Sequence, residues 1–158
     1  MSAAVIISLT RALAELSTLD PFGECQFSPP RDNQFLCPSL PWIRGRFHRR
    51  LRADLDPWNL TTNDCDTGAL ETVVVGERCL KATRSVAFTN QTTIALWYVH
   101  VDLTACKNGI NGVRDGQHAT NIVRSRAGEL HFYEWQNGQT EPAQAAINRG
   151  ARLRFVLV

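Results

Sequence analysis

Helix-period segments in the first half of the chain and strand-like runs in the second predict an α+β fold, with helices packed on one side of a mostly antiparallel sheet. Three observations carry that prediction. The 158 residues are 44% hydrophobic and 20% charged, which suits one packed domain spanning 1–158. Apolar residues recur at helical spacing before residue 80, and β-branched and aromatic residues crowd five short runs after it. Turn-forming Asn-Gly and Gly pairs separate those runs.

Val5, Ile6, Leu9, Ala12, Leu13 and Leu16 fit an amphipathic helix over 3–18. Residues 20–41 hold five of the seven prolines, so an ordered loop or arm without regular structure is expected there. In 42–55, Trp42, Ile43, Phe47, Leu51 and Leu55 mark a buried helix face, and Arg44, Arg46, Arg49, Arg50 and Arg52 fall largely on the other. The residues Thr61-Thr62-Asn63-Asp64 are N-cap types, so a helix should begin close to Cys65, weakened later by Thr72 to Val75 and by Gly76. Strands are expected over 84–89, 92–103, 119–124, 129–135 and 151–158.

The net charge of +2 excludes a chain that is polyanion-binding as a whole, and nucleic acid is not expected as a partner. The basic face of 44–52 reads either as a solvated helix surface or as a local binding stripe. No run approaches the ~18 consecutive apolar residues of a membrane span. The segment 3–9 imitates a short signal peptide, but it lacks a basic leading region and Arg11 interrupts its end, so a cytoplasmic protein is expected. A homodimer is left open. Of the five cysteines, Cys79 and Cys106 read as small buried hydrophobes, and Cys25 and Cys37 flank the Pro-rich segment where a disulfide is conceivable.

Cys65, at the expected helix start, is where free N–H groups would favour a thiolate and could hold an oxyanion. Asp64 and Asp66 oppose that by adding negative charge. His118, opening a strand, could serve as the base, and Glu134, 16 residues on, could orient it. His100 and His131 sit inside expected strands and His48 inside the basic helix, where structural roles are commoner.

Trp58 followed by N-D-C-D at 63–66, G-Q-H-A-T-N at 116–121 and Y-E-W-Q-N-G at 133–138 resembles the papain-like cysteine-peptidase domain of the Marasmius oreades agglutinin family. The resemblance covers roughly residues 42–140. It implies a papain-like arrangement and a cysteine peptidase or related acyl-transfer enzyme acting on an amide of a peptide or protein. Cys65 would be nucleophile, His118 general base and Glu134 its orienting acid, with Trp58 and Gln136 lining the site. It also implies calcium, for which Asp64 and Asp66 are the candidate ligands. The family's sugar-binding β-trefoil has no counterpart in the motifs. The competing expectation is a non-enzymatic module binding nucleic acid or an acidic partner through Arg44–Arg52.

Overall fold

The computed structural model describes residues 4–55, 64–82 and 92–158. The expected strand 84–89 and Trp58 lie outside these. The α+β class holds: most helical segments precede Thr92, strands predominate after it, and the described strands form two sheets.

The first departure comes at the N-terminus. Val5–Ser8 is a strand, β1, and only Leu9–Ser17 is helical, α1. Ser8 explains the break, because its side chain accepts the Arg11 N–H as the helix cap. The Pro-rich segment is also less irregular than expected. It supplies β2 (Gln26–Phe27) and β3 (Gln34–Cys37), the latter in a proline-free stretch between Pro30 and Pro38. β3 pairs antiparallel with β1 and parallel with β4 (Thr92–Ile94), making a three-stranded sheet. Phe35 is fully buried and meets Trp97 edge-on with ring centroids 5.2 Å apart.

The basic segment is helical throughout but not uniform: α2 (Leu40–Trp42), a π-helical turn (Ile43–Phe47) and α3 (His48–Asp54) follow one another. Ile43, Phe47 and Leu51 are all fully buried, as their spacing required. Helix α4 runs from Cys65 to Ala82 without faltering at Gly76. The reason is packing. A Cβ on Gly76 would stand 3.0 Å from Leu96 Cδ2, so glycine's helix penalty is accepted for close approach to the sheet.

The second sheet has six strands in the order β2-β9-β5-β6-β7-β8, built from β5 (Leu96–Asp102), β6 (Gln117–Arg124), β7 (Leu130–Tyr133), β8 (Thr140–Pro142) and β9 (Arg152–Leu157). Its pairings are antiparallel except β2 with β9. Helices cover both faces, not one. Trp97, Val99, Ile122, Phe132 and Val156 face a cluster with α1 and with the short helix α5 (Ala143–Asn148), while Tyr98, Ala119, Val123 and Tyr133 face α4 and the α2–α3 segment. The alternating strands expose one residue set to each side, so two apolar faces needed two covers. Arg124, almost wholly buried on β6, is held by Glu15 of α1 at 3.0 Å, which ties the first cover to the sheet. All five cysteines are free thiols, so Cys25 and Cys37 are not bridged.

At the end of β5, Asp102 accepts the Thr104 backbone N–H at 2.9 Å, and Arg154 of β9 reaches it at 3.3 Å. The Thr104 hydrogen bonds, side-chain and backbone, are the chief cause that holds the Asp102 carboxyl down at about 2. A depressed pKa stabilises the fold above the unfolded value of ~3.9, and that contribution is lost as pH falls toward the folded value. Asp102→Asn should therefore lower the urea midpoint at pH 5 but converge on the native protein near pH 2. A gap between the two that stays constant from pH 5 to 2 would show that Asp102 does not titrate in this way.

Candidate functional site

Cys65 is the first residue of α4 and is partly buried. Asp64 caps the helix, its Oδ1 accepting the Thr67 N–H at 3.0 Å. The thiol packs with Ala69, Val73, Tyr98 and Ala119, so it lies against the sheet where β5 and β6 run side by side. Burial raises the Cys65 pKa; backbone hydrogen bonds from Ala119 and Asp66 oppose the rise, and the Asp66 and Asp64 charges add to it. The net direction is upward. A helix start alone does not lower this thiol, because desolvation outweighs it.

His118 and Glu134 are brought together. Both side chains are fully buried, and His118 Nε2 lies 2.6 Å from Glu134 Oε1. His118 is the second residue of β6, and Glu134 directly follows β7, so the antiparallel β6–β7 pairing sets their approach. Thr120 donates its hydroxyl to the Tyr133 carbonyl at 2.8 Å and to Glu134 Oε1 at 3.3 Å, while the Gln136 N–H reaches Glu134 Oε2 at 3.4 Å. The other ring nitrogen, His118 Nδ1, is buried without a hydrogen-bond partner among the described residues. Its neighbour Ala119 is the residue whose backbone meets Cys65.

Around Cys65 stands a polar group that pattern reasoning missed. Tyr98 donates its hydroxyl to Asp66 Oδ1 at 2.7 Å, and His100 Nε2 lies 2.9 Å from the same oxygen and against the Tyr98 hydroxyl. The Tyr98 bond is the chief reason that Asp66 stays below the usual carboxylate range. Period-two alternation in β5 put Tyr98 and His100 on one face and could have flagged them. Asn121, part of the quoted G-Q-H-A-T-N motif, donates to the Ala69 carbonyl at 2.9 Å and pins α4 to β6.

The basic face is occupied locally. Arg44 donates to Thr140 Oγ1 at 2.6 Å, Arg50 pairs with Asp54 at 3.0 Å, and Arg52 donates to the Gln136 carbonyl at 3.0 Å. Gln136 is thus a link between α3 and the segment after β7 that carries Glu134. Asp64 and Asp66 offer two carboxylates, up to four of the six to eight oxygens calcium takes, and among the described residues no group of three or more His, Cys, Asp or Glu stands ready to hold a metal.

The chain matches no family model and no curated protein by sequence. Its fold is similar to that of solved structures. One, named "PSL1a-E64 complex", superposes with a TM-score of 0.72 at 16% identity, over 97% of this chain and 51% of that one. Another, Polyporus squamosus lectin bound to a human-type influenza-binding epitope, Neu5Acα2-6Galβ1-4GlcNAc, superposes with a TM-score of 0.68 at 16% identity, over 97% and 49%. The chain spans about half the length of each. These findings correct the resemblance to a papain-like peptidase domain, since the superposed structure whose name states its kind is a lectin. The cysteine-peptidase or acyl-transfer function is corrected with it, and the alternative of nucleic acid or an acidic partner at Arg44–Arg52 is not supported either. At this identity the likeness shows an α+β fold shared with those structures. No described helix is long and apolar enough to cross a membrane.

The close seat of α4 is testable at Gly68, where a Cβ would fall 2.0 Å from the Trp135 ring. Gly68→Ala should cost about 1–3 kcal/mol through overpacking and lower the urea midpoint. An unchanged or raised midpoint, as helix propensity alone would give at up to ~1 kcal/mol, would refute the packing account.

Proposed function

We propose that this chain is a carbohydrate-binding module, with a glycan as its partner in place of a peptide. The observation that carries the reading is the superposition, over 97% of the chain, on a lectin structure determined with a bound trisaccharide. The surface agrees with it: the cavities near α1 and α5, of about 230 and 370 Å³, are lined by a mixture of apolar and charged residues. Saccharides present hydroxyls and flat C–H faces, which such shallow mixed surfaces suit better than deep apolar pockets do. Titration calorimetry with Neu5Acα2-6Galβ1-4GlcNAc should give a Kd between about 1 μM and 1 mM, the range a few hydrogen bonds over a small contact area support. No heat and no saturation at ~10 mM sugar would refute it.

A second reading rests on one specific observation, the buried unpartnered Nδ1 of His118 beside the residue that contacts Cys65. Here Cys65, His118 and Glu134 form a thiol–imidazole–carboxylate set that makes Cys65 chemically distinct from the other four thiols, with Gln136 holding Glu134 in place. Calcium would sit at Asp64 and Asp66. Because burial raises the Cys65 thiol, alkylation of Cys65 by iodoacetamide should climb with pH past the ordinary thiol range, and His118→Ala should alter that profile. Calcium added to chelator-treated protein should raise the Tm. A Cys65 profile identical in the native protein and His118→Ala would sink the set, and a Tm indifferent to millimolar calcium would remove the ion.

A further inference from the structure

We propose that Arg44, His48 and Arg52 clasp the hairpin formed by β7 and β8, and that protonation of His48 opens the clasp, so that the seat of α3 is acid-sensitive. The three side chains recur at four-residue intervals, the spacing that puts them on one helical face. Arg44 donates to Thr140 Oγ1 on β8 at 2.6 Å, and Arg52 donates to the Gln136 carbonyl between the two strands at 3.0 Å. Between them, His48 Nδ1 lies 2.6 Å from the Tyr133 hydroxyl on β7.

The middle contact is the one that depends on a proton. Tyr133 is fully buried, and among the described residues His48 is the one hydrogen-bond partner of its hydroxyl. A buried O–H needs an acceptor, so the hydroxyl donates and Nδ1 accepts, which the ring can do only while it is neutral with its proton on Nε2. The ring stands edge-on to Tyr133, at 74° with centroids 5.9 Å apart. Gly138 also meets it: a Cβ there would fall 2.8 Å from His48 Cδ2, and the backbone has φ +73°. The turn and the room for the imidazole therefore both call for glycine.

A proton added at Nδ1 turns the acceptor into a donor and leaves the Tyr133 O–H without a partner. Burial holds the Tyr133 hydroxyl protonated, so it cannot respond by ionising. The surrounding charges oppose the proton as well. Arg44 and Arg52 stand four residues to either side on the same segment, while Tyr133 of β7, Gly138 of the turn and Thr140 of β8 carry no charge. Glu134, the carboxylate next to Tyr133, is already engaged by buried His118. Burial first, and Arg52 second, keep His48 below the usual imidazole range. A depressed histidine pKa stabilises the closed clasp above the open-state value of ~6.5, and that contribution is lost as pH falls toward the closed-state value.

The test is amide hydrogen exchange on the full chain, corrected for intrinsic rates, in steps from about pH 7.5 to about pH 5. It compares the native protein with His48→Asn, whose side-chain oxygen replaces Nδ1 as acceptor and does not titrate. Below ~6.5, opening of residues 43–54 should climb by up to about tenfold per pH unit in the native protein and stay flat in His48→Asn, while β6 amides keep their protection in both. Nitrogen shifts of the native ring should show the Nε2–H tautomer at neutral pH and a titration midpoint below ~6.5, a readout that stands even where the variant does not fold. An equal acid response in His48→Asn would overturn the switch, as would a ring midpoint at or above ~6.5, or acceleration that extends equally to β6. A ring with its proton on Nδ1 at neutral pH would overturn the hydrogen bond on which the clasp depends.

Discussion

Helix α4 lies closer to the sheet than side chains of ordinary size would allow, and most of what surrounds Cys65 follows from that one constraint. Two glycines make the approach. Gly68 lets the Trp135 indole lie directly on the helix backbone, and Gly76 lets Leu96 and Ile94 do the same two turns later. Each glycine weakens the helix intrinsically, by roughly 1 kcal/mol against alanine, but the burial it permits is worth more than that. Trp135, Leu96 and Ile94 are each 2% exposed or less. Asn121 then bonds across the seam to the Ala69 carbonyl, so the helix cannot slide along the strands without breaking a buried hydrogen bond.

Seated this way, the start of α4 delivers Cys65 to Ala119, and the β6–β7 ladder independently delivers His118 to Glu134. The dyad is sealed off, with Thr120 of β6 and Gln136 of the turn after β7 adding hydrogen bonds to the carboxylate. A fully buried His–Glu pair is costly unless its remaining atoms are satisfied. Glu134 meets that requirement and His118 Nδ1 does not. By contrast Asp66 and His100 are about half exposed, and only Tyr98, which bonds both, is buried.

Along β9 a different balance holds. There β9 carries Arg152 and Arg154 outward, Glu24 bridges them unequally, and Asp102 takes the far side of Arg154. Surface ion pairs of this kind contribute little to stability, about 0–1 kcal/mol each. Their interest lies in geometry, since they leave the Arg152 guanidinium over the exposed Phe22 ring.

Periodicity and residue type determined the α+β class, the helix at Cys65, the helical character of 42–54, and strands close to 92–102, 117–124, 130–133 and 152–157, because local hydrophobic patterns of period 3.6 and 2 survive in any context that buries one face. They also made His118 and Glu134 neighbours, since a hairpin of 16 residues leaves few other registers. Tertiary structure alone decided the rest. Val5–Ser8 became a strand because Gln34–Cys37 was there to pair with it, and that partner was hidden among prolines. Helices covered both sheet faces because both faces are apolar, which a single strand's pattern cannot reveal. The rise in the Cys65 pKa depends on burial against Ala119 and Tyr98, distant in sequence, and it reversed the sign that the helix start alone suggested. Motif order pointed to a peptidase, but order records which residues recur and not what the assembled surface binds, and the superposed structures corrected it.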